Sequence, residues 1–390
     1  MKKVWDFLRH EAVLCVALLL AVVSSFFVTP DREYIEYIDF RTLAILFCLM
    51  CVMAGLQELG VFKKIAGEML KTVKDERGIA MTLVLMCFFS SMLITNDVAL
   101  ITFVPFTFTA LSMVSDETYR KLSGPVLVLE TIAANLGSML TPVGNPQNLY
   151  LYGISNMGIG SFIRLMLPYS GLSLVMIVAC VFLFTKKEKA SKGETADADR
   201  AGANRLTLTE MFAKSQTKYH SLLIMYILLF AVAIFVVIRV LPWQIMLAIT
   251  LILVLLSDRK TILKVDYTLL ITFFGFFVFI GNMGRIPSFA NLLSNLVKGR
   301  ETVVAILSSQ IISNVPAALL LSGFTEDFTS LIIGTNLGGL GTLIASMASL
   351  ISFKQVAHRD EVPTAKYFKT FTLLNIAFLA VLFAFCEIIK

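Results

Sequence analysis

Residues 90–99 read Ser90-Ser91-Met92-Leu93-Ile94-Thr95-Asn96-Asp97-Val98-Ala99, and residues 308–317 read Ser308-Ser309-Gln310-Ile311-Ile312-Ser313-Asn314-Val315-Pro316-Ala317. They share S-S-x-x-I-[TS]-N-x-x-A, a polar pattern that low-complexity apolar sequence does not readily produce twice. The apolar stretch around the second copy, Thr302 to Phe324, is little longer than one membrane span, whereas two crossings need about 40 residues. It therefore predicts a re-entrant helical hairpin over 301–323 with Ser313-Asn314-Val315-Pro316 at the tip. Pro316 suits the start of the returning arm, where a missing N–H costs nothing. The partner hairpin is predicted over 79–113 with tip Thr95-Asn96-Asp97; this stretch is longer, which leaves two full spans open as the alternative.

Two further blocks recur in the same order. Ile38 to Lys71 matches Val265 to Lys298, pairing Asp39 with Asp266, Leu43 with Leu270, Phe47 with Phe274, Phe62 with Phe289 and Lys71 with Lys298. Ile132 to Leu149 matches Ile333 to Leu350: Asn135-Leu136-Gly137 returns as Asn336-Leu337-Gly338, and Thr141 as Thr342. Order and polar content together point to an internal duplication.

The last block predicts helices that stop part-way through the membrane. In Thr141-Pro142-Val143-Gly144-Asn145-Pro146-Gln147-Asn148, two prolines and a glycine break the hydrogen-bond ladder of a helix over about 124–152. The freed backbone groups need protein, ion or water partners, so such a break must line something polar. The counterpart, over about 328–353, gains its flexibility from Gly338, Gly339 and Gly341 instead of proline.

With 57% hydrophobic and 15% charged residues, the 390-residue chain is too apolar for a water-exposed surface of its size. Apolar runs of spanning character recur at Glu11 to Val28, Arg41 to Gln57, Phe162 to Thr185, Tyr219 to Ile238, Trp243 to Leu256, Tyr267 to Gly281 and Tyr367 to Ile389. They lack the alternation of barrel strands and read as helices. The first run follows Lys2 and Lys3 as a signal peptide would, but it is long and no small-x-small cleavage pattern follows, so it reads as an anchor. The net charge of +6 comes from basic residues beside spans, and no nucleic-acid partner is expected. All six cysteines lie in apolar segments, Cys48-x-x-Cys51 included, which disfavours a disulfide framework or a zinc cage. The histidines, His10, His220 and His358, flank charged segments without an H-E-x-x-H, and no G-x-G-D pair occurs. An enzyme is not expected, and no cofactor is implied.

The fold class that follows is an all-α polytopic membrane protein. It comprises an N-terminal transmembrane helix (1–37), a first repeat (38–185), a solvated cytoplasmic linker (186–218), linking transmembrane helices (219–264) and a second repeat (265–390). Lys and Arg concentrate on one side when the N-terminus is placed in the cytoplasm and each hairpin returns to its own side. Asp39 and Asp266 then fall on opposite sides, which makes the repeats inverted. Hairpin tips and broken helices meeting at the midplane would gather Asn, Thr, Ser and backbone carbonyls where water is scarce, a site for a small ion.

The residues at the tips and breaks resemble the ion transporter superfamily, which includes divalent anion/sodium symporters, citrate transporters, arsenite permeases and one branch of Na⁺/H⁺ antiporters. Thr95-Asn96-Asp97 sits where the symporters carry Ser-Asn-Thr. Gly137-Ser138-Met139-Leu140-Thr141-Pro142-Val143-Gly144-Asn145-Pro146-Gln147-Asn148 is similar to their G-G-x-G-T-P-x-G-x-P-x-N, and the second half is closer to the arsenite permeases. The resemblance covers roughly Ile38 to Lys390. It implies a homodimer held by a scaffold domain and a transport domain moving in an elevator-like manner. It also implies one half-site of Thr95, Asn96, Thr141, Pro142, Gly144, Asn145 and Asn148, to which this chain adds Asp97, a carboxylate where the symporters have Thr. The other half-site would be Ser313, Asn314, Thr335, Asn336, Gly341, Thr342 and Ser346. Sodium sites would fall at Thr95, Asn96, Asp97 and Asn145, and at Ser313, Asn314 and Thr342.

The expected function is secondary transport of a small anion, a carboxylate or oxyanion, across a bacterial inner membrane with Na⁺ or H⁺ coupling. A cation/proton antiporter is the alternative, and a channel or an intramembrane enzyme is more remote. Asp97 is expected to ligate the coupling cation or carry the proton, or else to cap the returning arm. Glu130, about 16 Å before the break along a helix, is expected near the cytoplasmic mouth. Arg285, Lys298 and Arg300 are expected to meet lipid headgroups from an interfacial amphipathic stretch.

Overall fold

Asp39 and Asp266 open two helices in the same way. In the computed structural model, which describes residues 11–70, 73, 75–112, 116–185, 216–357 and 363–389 and the side chains of all these except 116–118 and 216–218, their carboxylates accept the backbone N–H of Thr42 and Leu269, each at 3.0 Å. Each thereby satisfies one of the donors a helix start leaves orphaned. The described residues form helices and no strand. Most of the 186–218 linker, with His10, Lys71, Met113 and His358, lies outside them.

The helices are α1 (Ala12–Ser25), α2 (Glu33–Glu36), α3 (Phe40–Glu58), α4 (Val61–Leu70), α5 (Glu76–Ser90), α6 (Asn96–Ser112), α7 (Asp116–Ser138), α8 (Pro146–Ile154) and α9 (Ile159–Phe184). After them come α10 (Gln216–Val237), α11 (Trp243–Ser257), α12 (Tyr267–Gly284), α13 (Pro287–Val297), α14 (Glu301–Ile312), α15 (Asn314–Ser322), α16 (Phe328–Leu337), α17 (Met347–Ala357) and α18 (Thr364–Ile389). The succession from α3 to α9 recurs from α12 to α18. Among the described residues, five helices are long and apolar enough to cross a membrane: α3, α9, α10 from Tyr219, α12 and α18. Their outward faces carry bare aliphatic residues such as Leu183 and Ile388, about four-fifths exposed. Such faces are at home in hydrocarbon, and the chain is an integral, multi-pass membrane protein.

The equivalent helices α3 and α12 run antiparallel. Lys264, just before α12, forms an ion pair with Glu58 at the end of α3. At the other end, Arg285 follows α12 and reaches Asp31 at 2.7 Å, Glu33 at 3.4 Å and the Tyr37 hydroxyl at 3.0 Å, all ahead of α3. Arg285 is thus held by these partners, and they raise its pKa.

Around this pair, α1 packs along α12, with Asn282 donating to Ser24 at 3.0 Å. Helices α10 and α11 pack along α3, where Gly55 leaves room for the Tyr226 ring. The interior belongs to α16 and the second half of α7. Leu331 to Leu337 of α16 and Val126 to Ser138 of α7 are buried on every side, as an inner helix must be. Arms α5 and α14 approach α7 and α16 through equivalent glycines. A Cβ on Gly137 would lie 2.7 Å from the Ser91 hydroxyl, and one on Gly338 would lie 2.8 Å from Ser309 Cβ.

Candidate functional site

Helix α7 stops at Ser138 and α8 begins at Pro146, whose absent N–H is no loss at a first helical position. Between them the chain folds tightly: a Cβ on Gly144 would press within 2.8 Å of the Ser138 backbone. The Thr141 hydroxyl donates to the Met92 carbonyl and accepts the Gly144 N–H at 3.2 Å. The Asn96 N–H donates to the Gly144 carbonyl at 3.2 Å, fastening the first tip to the break.

In the second half α16 stops at Leu337 and α17 begins at Met347, with Gly341 at φ +107°. Gln310 repairs this glycine break. Its Nε2 donates to the Gly338 and Leu340 carbonyls at 3.0 and 2.9 Å, while its Oε1 accepts the Thr342 N–H at 2.9 Å. The Thr342 hydroxyl donates to the Gln310 carbonyl at 3.2 Å, the counterpart of Thr141 on Met92. Ser313, at the second tip, holds a φ of +74° that non-glycine residues seldom adopt.

The tips and the restarted helices meet around one small pocket lined by Asn96, Asp97, Pro146, Gln147, Leu269, Asn314, Val315, Ser346 and Met347. Its cavity volume is about 10 Å³, room for roughly one water or bare ion. Asn96, Pro146, Asn314 and Met347 are the first residues of α6, α8, α15 and α17. Four helix N-termini therefore converge here, each presenting the positive end of its dipole. No Lys or Arg is in the lining.

Asparagines hold the assembly together. Asn135 accepts from Asn96 Nδ2 at 2.9 Å and from the Ser346 hydroxyl at 3.0 Å, and donates to Ser349 at 3.4 Å. Its counterpart Asn336 donates to Asn148 at 2.7 Å. Since Asn148 and Ser349 are themselves equivalent positions, the same contact is made twice with the halves exchanged, as a two-fold axis requires. Several buried polar atoms have no partner: Asp97 Oδ1, Asn145 Oδ1, Asn336 Oδ1 and both amide atoms of Gln147. Unpaired groups of this kind cost free energy unless a ligand or water meets them.

Comparison with known proteins gives this arrangement a context. Residues 4–327 match the citrate transporter family. The chain belongs to the citrate transporter family. It is 30% identical over 360 residues to the inner membrane protein YbiR of Escherichia coli (strain K12), covering 90% of each chain. It is 31% identical over 385 residues to the uncharacterized transporter MJ0456 of Methanocaldococcus jannaschii, covering 98% of this chain and 97% of that one. The silicon efflux transporter LSI3 of Oryza sativa subsp. japonica is 28% identical over 172 residues, 43% of this chain and 34% of that one. This member of the family is a membrane transporter, not an enzyme.

In this transporter the residues singled out from sequence fall into three groups. Asn96, Asp97, Asn314 and Ser346 line the pocket. Asn145, Asn148 and Asn336 are buried around it, while Pro142, Gly144 and Gly341 shape the breaks. Thr141, Thr335 and Thr342 turn their hydroxyls to backbone carbonyls; Thr342 is exposed, outside the lining. Thr95 is half-buried just before α6, and Ser313 donates to the Ala345 carbonyl at 3.4 Å. Pro146, Gln147, Leu269, Val315 and Met347 join the lining although they were not among the expected site residues.

Two expectations are corrected. Asp97 is not the cap of the returning arm, because α6 already starts at Asn96 and places Asp97 in its first turn. Glu130 is not at a mouth: it is fully buried against Thr107, since α6 covers the face of α7 that carries it.

Proposed function

We propose that this transporter moves a small carboxylate or oxyanion across the inner membrane by Na⁺- or H⁺-coupled secondary transport. The observation that carries the reading is the meeting of four helix N-termini in a buried pocket without Lys or Arg. Converging helix dipoles favour an anion, while the oxygens of Asp97 and Asn145 can take a cation beside it. The antiparallel course of α3 and α12, and the reciprocal Asn135–Ser349 and Asn336–Asn148 contacts, support two inverted repeats. Arms α5–α6 and α14–α15, of 15, 17, 12 and 9 residues, are short enough to be re-entrant hairpins.

In this reading the hairpins and broken helices form a transport domain that rides in an elevator-like manner on a scaffold of α3, α10, α11 and α12, in a homodimer with a cytoplasmic N-terminus. Leu269, in the first turn of α12, lines the pocket and sets it toward the Glu58–Lys264 side, the cytoplasmic one in this orientation. Asp97 favours a second reading, a cation/proton antiporter, since its carboxylate oxygen has no partner.

Proteoliposomes separate the two, with citrate as the first probe because of the family. Citrate accumulation driven by an imposed Na⁺ or pH gradient is expected. Na⁺-dependent proton movement without any anion would replace this reading with the antiporter, and conduction without accumulation would replace both with a channel.

A further inference from the structure

We propose that Glu130 is a proton-binding site of this transporter, separate from the pocket, and that its proton is exchanged when α6 and α7 part. Glu130 lies on α7 with none of its surface exposed. One carboxyl oxygen, Oε1, accepts the Thr107 hydroxyl from α6, and the other, Oε2, has no partner. Neither of the ion-paired groups seen, Lys264 with Glu58 and Arg285 with Asp31 and Glu33, involves Glu130.

Cations on the helices packed against α7 lie elsewhere. Arg77 donates to Thr185, and Arg164, Lys354, Lys366 and Lys369 are exposed. Glu130 is close enough to act on the titratable side chains of Cys87 from α5 and Tyr367 from α18, and neither carries positive charge. An ionised carboxylate with one hydroxyl donor and no cation, away from water, is costly to bury; adding a proton removes that cost. The conformation seen here therefore holds the acid.

The position links that proton to the pocket. Glu130 precedes Asn135 by five residues, about 7.5 Å along α7, and Asn135 holds Asn96 at the start of α6. Thr107 lies farther along that same arm. One carboxyl contact and one amide contact thus clamp α6 to α7 at two levels. Motion of the arm that reshapes the pocket breaks the lower contact, admits water and lets the carboxyl ionise. Binding the proton favours the clamped arrangement, and raising the pH favours the parted one. The link to solute movement rests on the transport reading above; the protonation itself does not.

Infrared difference spectroscopy of the full chain in lipid bilayers, titrated with pH, tests the site without any solute. The protonated-carboxyl stretch of the wild type is expected to be absent from Glu130→Gln and shifted in Thr107→Val, a variant that keeps Glu130 should the first fail to fold. An unchanged band in both variants overturns the proposal. In proteoliposomes, Glu130→Gln is expected to exchange citrate at equal pH yet lose accumulation driven by acid outside; wild-type accumulation in that variant overturns the coupling role. A wild type that moves no citrate under any gradient removes the transport reading for citrate, while the infrared result still decides Glu130.

Discussion

Asp97 is the one carboxylate among the pocket-lining residues, and its counterpart in the second half is Val315, so the pocket's two-fold likeness ends at charge. Asp266, at the start of α12, also acts on it, and a carboxylate in a lining without lysine or arginine invites a cation. Asp97 Oδ1 has no hydrogen-bond partner, which leaves it available as a ligand. Asp97→Asn keeps the shape and removes the charge. The variant is expected to insert and fold, while gradient-driven citrate accumulation falls about tenfold or more, equivalent to about 1.4 kcal/mol of lost coupling. Uptake measured against imposed Na⁺ and pH gradients checks this, and an unchanged dependence on both would take Asp97 out of the mechanism.

At the scale of elements, the caps on α3 and α12 are local devices whose loss should be felt locally. Asp39→Ala and Asp266→Ala are each expected to lower stability by about 1 kcal/mol, and Asn at either position by far less, because its side chain can still accept the helix N–H. Thermal unfolding in detergent measures the difference; equal loss for Ala and Asn would mean that the ion pairs nearby, not the caps, hold these ends. The long helices were legible in sequence because lipid leaves the backbone no partner but itself, so every apolar run of sufficient length had to become a helix. Thr141 to Asn148 announced its break through Pro142 and Pro146. The work of Gln310 was not legible: it stands where the first half has Met92, and its partners Gly338, Leu340 and Thr342 lie a whole arm away. Asn135 was visible only as a mark of the repeat, since its partner Ser349 is 214 residues distant. Glu130 was misplaced because distance along a helix says nothing of the arm that covers it.

For the whole molecule, the antiparallel setting of α3 and α12 converts an internal duplication into an argument about sidedness. Two equivalent helices that cross in opposite senses present their starts to opposite faces of the bilayer. Glu36 ahead of α3 and Lys260 ahead of α12 are both exposed and suit single-cysteine substitution in a background without the native cysteines. A membrane-impermeant thiol reagent is expected to reach Glu36→Cys from outside intact cells and Lys260→Cys only after the membrane is opened. Modification of both from the same side would end the inverted arrangement, and with it the reason for four helix N-termini to meet in one pocket. Reversed labelling would keep the inversion and turn the molecule over. The pocket near Leu269 would then face outward in the conformation described, and the basic segments beside α4 and α5 would lie on the side that the distribution of Lys and Arg disfavours.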